Sequence, residues 1–140
     1  MASTEGSARG GSRVHREYVL DVRVVELPDE PTRYRFEAPR HEGVAFEDPE
    51  TAELYADIYF DVNGFEEAGT GERGVPPVII QAGRDTLAAY LLTQPYADEQ
   101  WVGSFFGVQP GKVERYANRV RQRAANIRSR VREEGVDAGE

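Results

Sequence analysis

Residues 99–118 read EQWVGSFFGVQPGKVERYAN, and the fold turns on how this stretch is parsed. Asp98 stands where a helix cap belongs, Gly107 stops that helix, and Pro110 fits the first turn of a second helix that Val113, Tyr116, Ala117 and Val120 continue. The spacing predicts one helix over Glu99–Phe106 and another starting at Pro110, joined by a glycine turn. A corner this tight needs a small residue where the helices cross, supplied by Gly103. It also needs a turn residue that adopts positive φ cheaply, supplied by Gly107.

Working outward, Pro77–Thr93 predicts a helix that is apolar on most sides near Leu87–Leu92 and therefore buried from most sides. Downstream, the second corner helix extends to Glu133, about 36 Å at 1.5 Å per residue. Its Val113, Ala117, Val120, Ala124, Ile127 and Val131 form a seam at alternating spacings of four and three. That seam suits either a homodimer through the C-terminal helix or a fold-back onto the N-terminal half, and its two alanines favour folding back.

In the N-terminal half, Glu17–Leu27 and Thr32–Glu37 alternate as the arms of an antiparallel β-hairpin. Tyr18, Leu20, Val22, Val24, Tyr34 and Phe36 point inward, and Arg23, Arg33 and Arg35 lie on a solvated face. Asp48-Pro49 and Asn63-Gly64 bracket a helix over Pro49–Val62. Its Leu54, Tyr55, Ile58, Tyr59 and Val62 face inward. Glu50, Glu53, Asp57 and Asp61 form a solvated stripe, since a hard-metal site needs oxygen ligands from more than one segment. The expected class is α+β, an N-terminal hairpin plus helix packed on a C-terminal three-helix unit. The expected organisation is a disordered tail at 1–13, an N-terminal lobe at 14–75, a helical lobe at 76–133 and an acidic disordered tail at 134–140. Of the aromatics, Tyr18, Tyr34, Phe36, Phe46, Tyr59, Phe60, Trp101, Phe105 and Phe106 read as core, with Trp101 alternatively an exposed partner anchor.

Charge narrows the function. The 140 residues carry 25 acidic and 17 basic side chains, a formal charge of -8, and Lys112 is the single lysine. Such an acid-rich, lysine-poor surface resembles those of small haloarchaeal proteins, where hydrated carboxylates keep proteins dissolved in concentrated salt. The absence of cysteine excludes disulfides and thiol chemistry. His15 and His41, read as lying in tail and loop, make a zinc site improbable, and no nucleophile-elbow motif occurs, so a non-enzymatic protein without metal or cofactor is expected. The glycines of 69–74 spell G-x-G-x-x-G, but a helix precedes them and Val75-Pro76-Pro77 follows, so they lack the strand-loop-helix setting of a dinucleotide site. No apolar run approaches the length of a membrane span or a signal-peptide core, which leads to an expected cytoplasmic location. Residues 1–109 hold 9 basic and 20 acidic side chains, whereas residues 110–132 hold 8 basic and one acidic, Glu114. A polyanionic partner therefore meets the C-terminal part.

Residues 99–118, within about Val78–Arg123, resemble the helix-turn-helix family, especially the three-helix type of sigma-factor region 4. Val102, Phe106, Val108, Val113 and Tyr116 match its apolar positions, Gly103 its crossing point and Gly107 its turn glycine. The resemblance implies a recognition helix from Pro110 to about Arg123. It places Gln109, Lys112, Arg115, Asn118, Arg119 and Arg123 at double-stranded DNA, the basic ones on phosphates and Gln109 and Asn118 on base edges. Glu114 departs from this pattern, as an acidic group there reads cytosine or repels phosphate. The expected function is a small DNA-binding regulator or accessory factor. The alternative is an adaptor whose basic helix grips an acidic protein partner.

Overall fold

The structure, a computed structural model, describes residues 12–41, 43–64 and 75–139. Four strands, β1 (Arg13–Glu17), β2 (Arg23–Leu27), β3 (Arg33–Glu37) and β4 (Val44–Phe46), form one antiparallel sheet in sequential order. Five helices follow: α1 (Pro49–Asp61), α2 (Pro77–Ala82), α3 (Arg84–Leu92), α4 (Glu99–Phe106) and α5 (Pro110–Gly139). The class is mixed α+β, strands first and helices after.

The sheet is larger than the expected hairpin. The run read as one strand from Glu17 is folded at Leu20 and Asp21, both in the left-handed region (φ 62° and 61°), and Val22 N–H donates back to Val19 O. Two consecutive positive-φ residues make a turn whose twist suits a hairpin, but neither is glycine or asparagine, so the usual sequence signal is missing. Leu20, expected inside, is 59% exposed at its tip. Arg13, assigned to a disordered tail, opens β1, and His15 lies in that strand, not in a tail. On β2 and β3 the face of Arg23, Arg33 and Arg35 is exposed as expected, and it is also ion-paired: Arg23 and Arg35 reach Glu37 while Arg33 reaches Asp29.

The single helix expected over Pro77–Thr93 is broken at Gly83, whose φ of 116° and ψ of 176° are essentially open to glycine alone. Helix α5 runs on to Gly139, past the expected end at Glu133 and into the segment read as a disordered tail. Asp48 precedes α1 as expected, although its carboxylate accepts from the Thr51 hydroxyl (3.0 Å) and caps no backbone N–H. The G-x-G-x-x-G loop and most of the N-terminal tail lie outside the described residues.

Two apolar clusters make the core. The first joins Val22, Val24 and Phe36 of the sheet region to Tyr55 and Ile58 of α1, Ile79, Tyr90, and Ala117, Val120 and Ala124 of α5. It crosses the lobe boundary expected near residue 75. The second joins Ala88 and Leu91 of α3 to Val102 of α4 and Val113 and Tyr116 of α5, with Phe106 and Val108 packed against it. The first turns of α5 therefore close a three-helix unit, and the next turns lie on α1. The first four residues of the seam offered for a homodimer pack within the chain, as the fold-back reading has it: Val113, Ala117, Val120 and Ala124 are each at most 1% exposed, while Ile127 and Val131 are half-buried. Among the described residues no helix is long and apolar enough to cross a membrane.

Candidate nucleic-acid interface

The site is built from the α4–α5 corner. Asp98 Oδ1 accepts the Trp101 N–H (2.8 Å) and caps α4. At the other end Gly107 is left-handed (φ 73°), its N–H donating to Ser104 O (3.2 Å), while Val108 N–H donates to Gly103 O (2.8 Å). This paired closure satisfies the Gly103 and Ser104 carbonyls and turns the chain within Gly107, Val108 and Gln109. A Cβ on Gly103 would stand 2.7 Å from Val108 O, so the approach requires glycine. The crowding atom belongs to the turn backbone, a tighter constraint than crowding between helix side chains.

The six residues placed at the interface from sequence fare differently. Gln109, Lys112 and Arg115 are exposed at the start of α5, and among the described residues neither Lys112 nor Arg115 pairs with a carboxylate. Lys112 Nζ sits 5.9 Å from the Tyr116 ring centre. Asn118 is exposed, and its carbonyl already accepts from Arg121 Nη1 (2.6 Å), while its NH₂ makes no hydrogen bond among the described residues. Arg119 lies 5.8 Å from the same Tyr116 ring centre and donates to Asp85 Oδ1 (3.3 Å).

Arg123 departs furthest from the phosphate role. Its Nε and Nη2 grip Asp61 (2.7 and 3.0 Å), Nη1 reaches Asp85 (3.2 Å), and Nη2 also reaches the Thr86 hydroxyl. Thr86 in turn donates to Asp61 (2.7 Å). The Asp61 hydrogen bond, the largest influence, pushes the Arg123 pKa further up against the opposing effect of burial. A guanidinium held by two carboxylates has its charge offset toward solvent, which distinguishes Arg123 from the other basic residues expected on phosphates.

The same contacts correct the reading of α1. Asp57 and Asp61 do not belong to a solvated stripe: Asp57 is 8% exposed and the Asp61 side chain 5%. Asp57 accepts from Arg128 Nη1 (2.7 Å). As α1 is read back from Asp61 to Asp57, α5 advances from Arg123 to Arg128, so the two helices run antiparallel with an ion pair at each step. Arg128 also covers the rings of Tyr18 and Phe60 at 5.0 and 5.2 Å. Burial raises the Asp57 pKa against the counteracting hydrogen bond and charge of Arg128. Glu53 is engaged as well, by His15 (2.8 Å) and Arg16 (3.6 Å). The spacing of four between the aspartates was visible in the sequence, but nothing in it placed the arginines opposite.

His41 fastens a loop to the core. Its Nδ1 accepts the Gly43 N–H (2.8 Å), so in the neutral ring Nε2 carries the proton and donates to the Tyr55 hydroxyl (2.9 Å). Trp101 and Phe105, read mainly as core, are 39% and 59% exposed. They lie on the α4 face turned away from Gly103, a position that helical geometry gives once Val102 is known to face inward. Searches of protein-family models, curated proteins and solved structures gave no match to this chain.

Proposed function

We propose that this protein binds double-stranded DNA through the α4–α5 corner, with the first turns of α5 meeting the groove. The observation that carries the reading is a glycine-closed corner, fixed by a three-helix core, that leaves Gln109, Lys112 and Arg115 exposed at the start of a helix. Lys112 and Arg115 contact phosphates, and Gln109 is placed to read a base edge. Arg119 contributes its remaining donors. Arg123 acts inside the fold, where it ties α5 to α1 and α3. With Glu114 outward and Asp85 beside Arg119, few cations face the duplex, so affinity is modest and phosphate positioning outweighs base discrimination. A role as a small regulator or accessory factor is the reading compatible with that modest grip.

The test is a mobility-shift series with duplex DNA at graded salt. The wild type binds with an affinity that falls as salt rises. Lys112→Ala/Arg115→Ala weakens binding and flattens the log–log salt slope by about 2, near 0.9 per lost phosphate contact. Absence of duplex binding at every salt, or a double variant indistinguishable from wild type, overturns the reading. Capture of polyglutamate through the same residues would assign them instead to an acidic protein partner.

A further inference from the structure

The surface of α4 opposite the corner carries a row of rings. Tyr96 meets Trp101 edge-on at 5.1 Å, Trp101 stacks on Phe105 at 5.7 Å with 7° between planes, and Phe105 meets Phe106 at 5.1 Å. Tyr96, Trp101 and Phe105 are 56%, 39% and 59% exposed. An exposed large aromatic is unremarkable singly, but three in contact form a contiguous apolar strip. Nothing in the DNA reading uses them.

The strip is electrically polar along its length. Exposed Asp98 and Glu99 lie at the Tyr96–Trp101 end, in the first turn of α4. At the far end the Arg84 guanidinium sits 5.5 Å over the Phe106 ring, exposed and without a carboxylate partner among the described residues. The ends are separated by roughly 10 Å of helix, at 1.5 Å per residue from Glu99 to Phe106. A surface with an apolar middle, an anion at one end and a cation at the other is complementary to itself when turned end for end. A two-fold contact has exactly this property, because the same patch serves both subunits.

We propose that the Tyr96–Trp101–Phe105 strip is a homodimer contact in which α4 packs antiparallel on α4 of a second copy. The rings lie against one another, and Glu99 faces the partner's Arg84 at two symmetric positions. The partner's first α5 turns remain open, so the proposal stands or falls independently of the DNA reading. The three rings expose about 300 Å² per copy, taking roughly 200 Å² per full ring. That is below the ~800 Å² per partner of a standard stable interface, so the dimer is weak and reversible.

Sedimentation velocity across a protein concentration series tests it, with emission of Trp101, the single tryptophan, as a local reporter. The wild type is expected to dimerise reversibly, with a blue shift as the ring is covered. Trp101→Ala/Phe105→Ala, followed by sedimentation alone, is expected to weaken association at least tenfold with unchanged circular dichroism. Arg84→Glu and Glu99→Arg each weaken it, whereas an equimolar mixture of the two, or the double reversal, restores it. A monomer up to millimolar concentration, or a dimer insensitive to the ring variant, overturns the proposal. Failure of the double reversal to restore association overturns the antiparallel arrangement.

Discussion

Gly103→Ala sets two well-known effects against each other. In an ordinary helix interior, alanine is favoured over glycine by about 1 kcal/mol. Here the added Cβ would lie 2.7 Å from Val108 O, below any distance real Cβ atoms adopt, and the obstructing atom is backbone. That carbonyl cannot retreat alone, because Val108 N–H donates to Gly103 O at 2.8 Å and Gly107 is held in its left-handed conformation. Opening the corner loses about 1 kcal/mol for that hydrogen bond and adds roughly 1–3 kcal/mol of overpacking strain. Set against the helix preference, the net expectation is destabilisation by about 1–3 kcal/mol. Urea unfolding followed by circular dichroism and Trp101 emission reads it. Gly111→Ala is the control: it is the second residue of the next helix, with nothing within 4 Å of the added Cβ, and is expected to stabilise by up to ~1 kcal/mol. If Gly103→Ala is also more stable than wild type, the corner is not closed by contact and the reasoning fails.

Arg128→Leu leaves the buried Asp57 carboxylate uncompensated and is expected to cost about 3–5 kcal/mol in the same unfolding assay, with Asp57→Leu/Arg128→Leu recovering much of the loss. Asp85→Asn releases Arg119 and one arm of Arg123; duplex binding in the mobility shift should strengthen, while stability changes by less than ~1 kcal/mol because the pairs are part-exposed. Burial, the dominant influence, pushes the Tyr18 hydroxyl from its ordinary value of 10.0 up to about 12. The folded state therefore holds this proton more tightly than the unfolded chain, so stability is level below pH 10 and declines as pH rises toward 12. Tyr18→Phe removes that component of alkaline unfolding. It also removes a buried hydroxyl with no hydrogen-bond partner among the described residues, for an expected gain of about 1 kcal/mol at neutral pH.

Local chemistry was legible in the sequence wherever the signal sat within a few residues. Asp98, Gly107 and Pro110 bounded α4 and α5, Pro49 and Asn63-Gly64 bounded α1, and the resemblance to helix-turn-helix units singled out Val102, Phe106, Val108, Val113 and Tyr116, which do pack together. The same locality explains the failures. Leu20 and Asp21 turn the chain through backbone angles that their residue types rarely signal, and Gly83 breaks a helix whose apolar pattern runs through it. Trp101 and Phe105 look like core by residue type and are surface by their angle from Val102.

The sequence by itself determined the α+β class, the helix corner and the concentration of basic residues in one helix, because caps, glycines and periodicity act over one or two turns. Only the tertiary structure decided which of those arginines remain available to a partner. Asp61 lies 62 positions from Arg123 and Asp57 lies 71 from Arg128. A charge pattern along the chain carries no record of such distant neighbours; the antiparallel packing of α1 on α5 brings them together and spends two of the cations inside the fold.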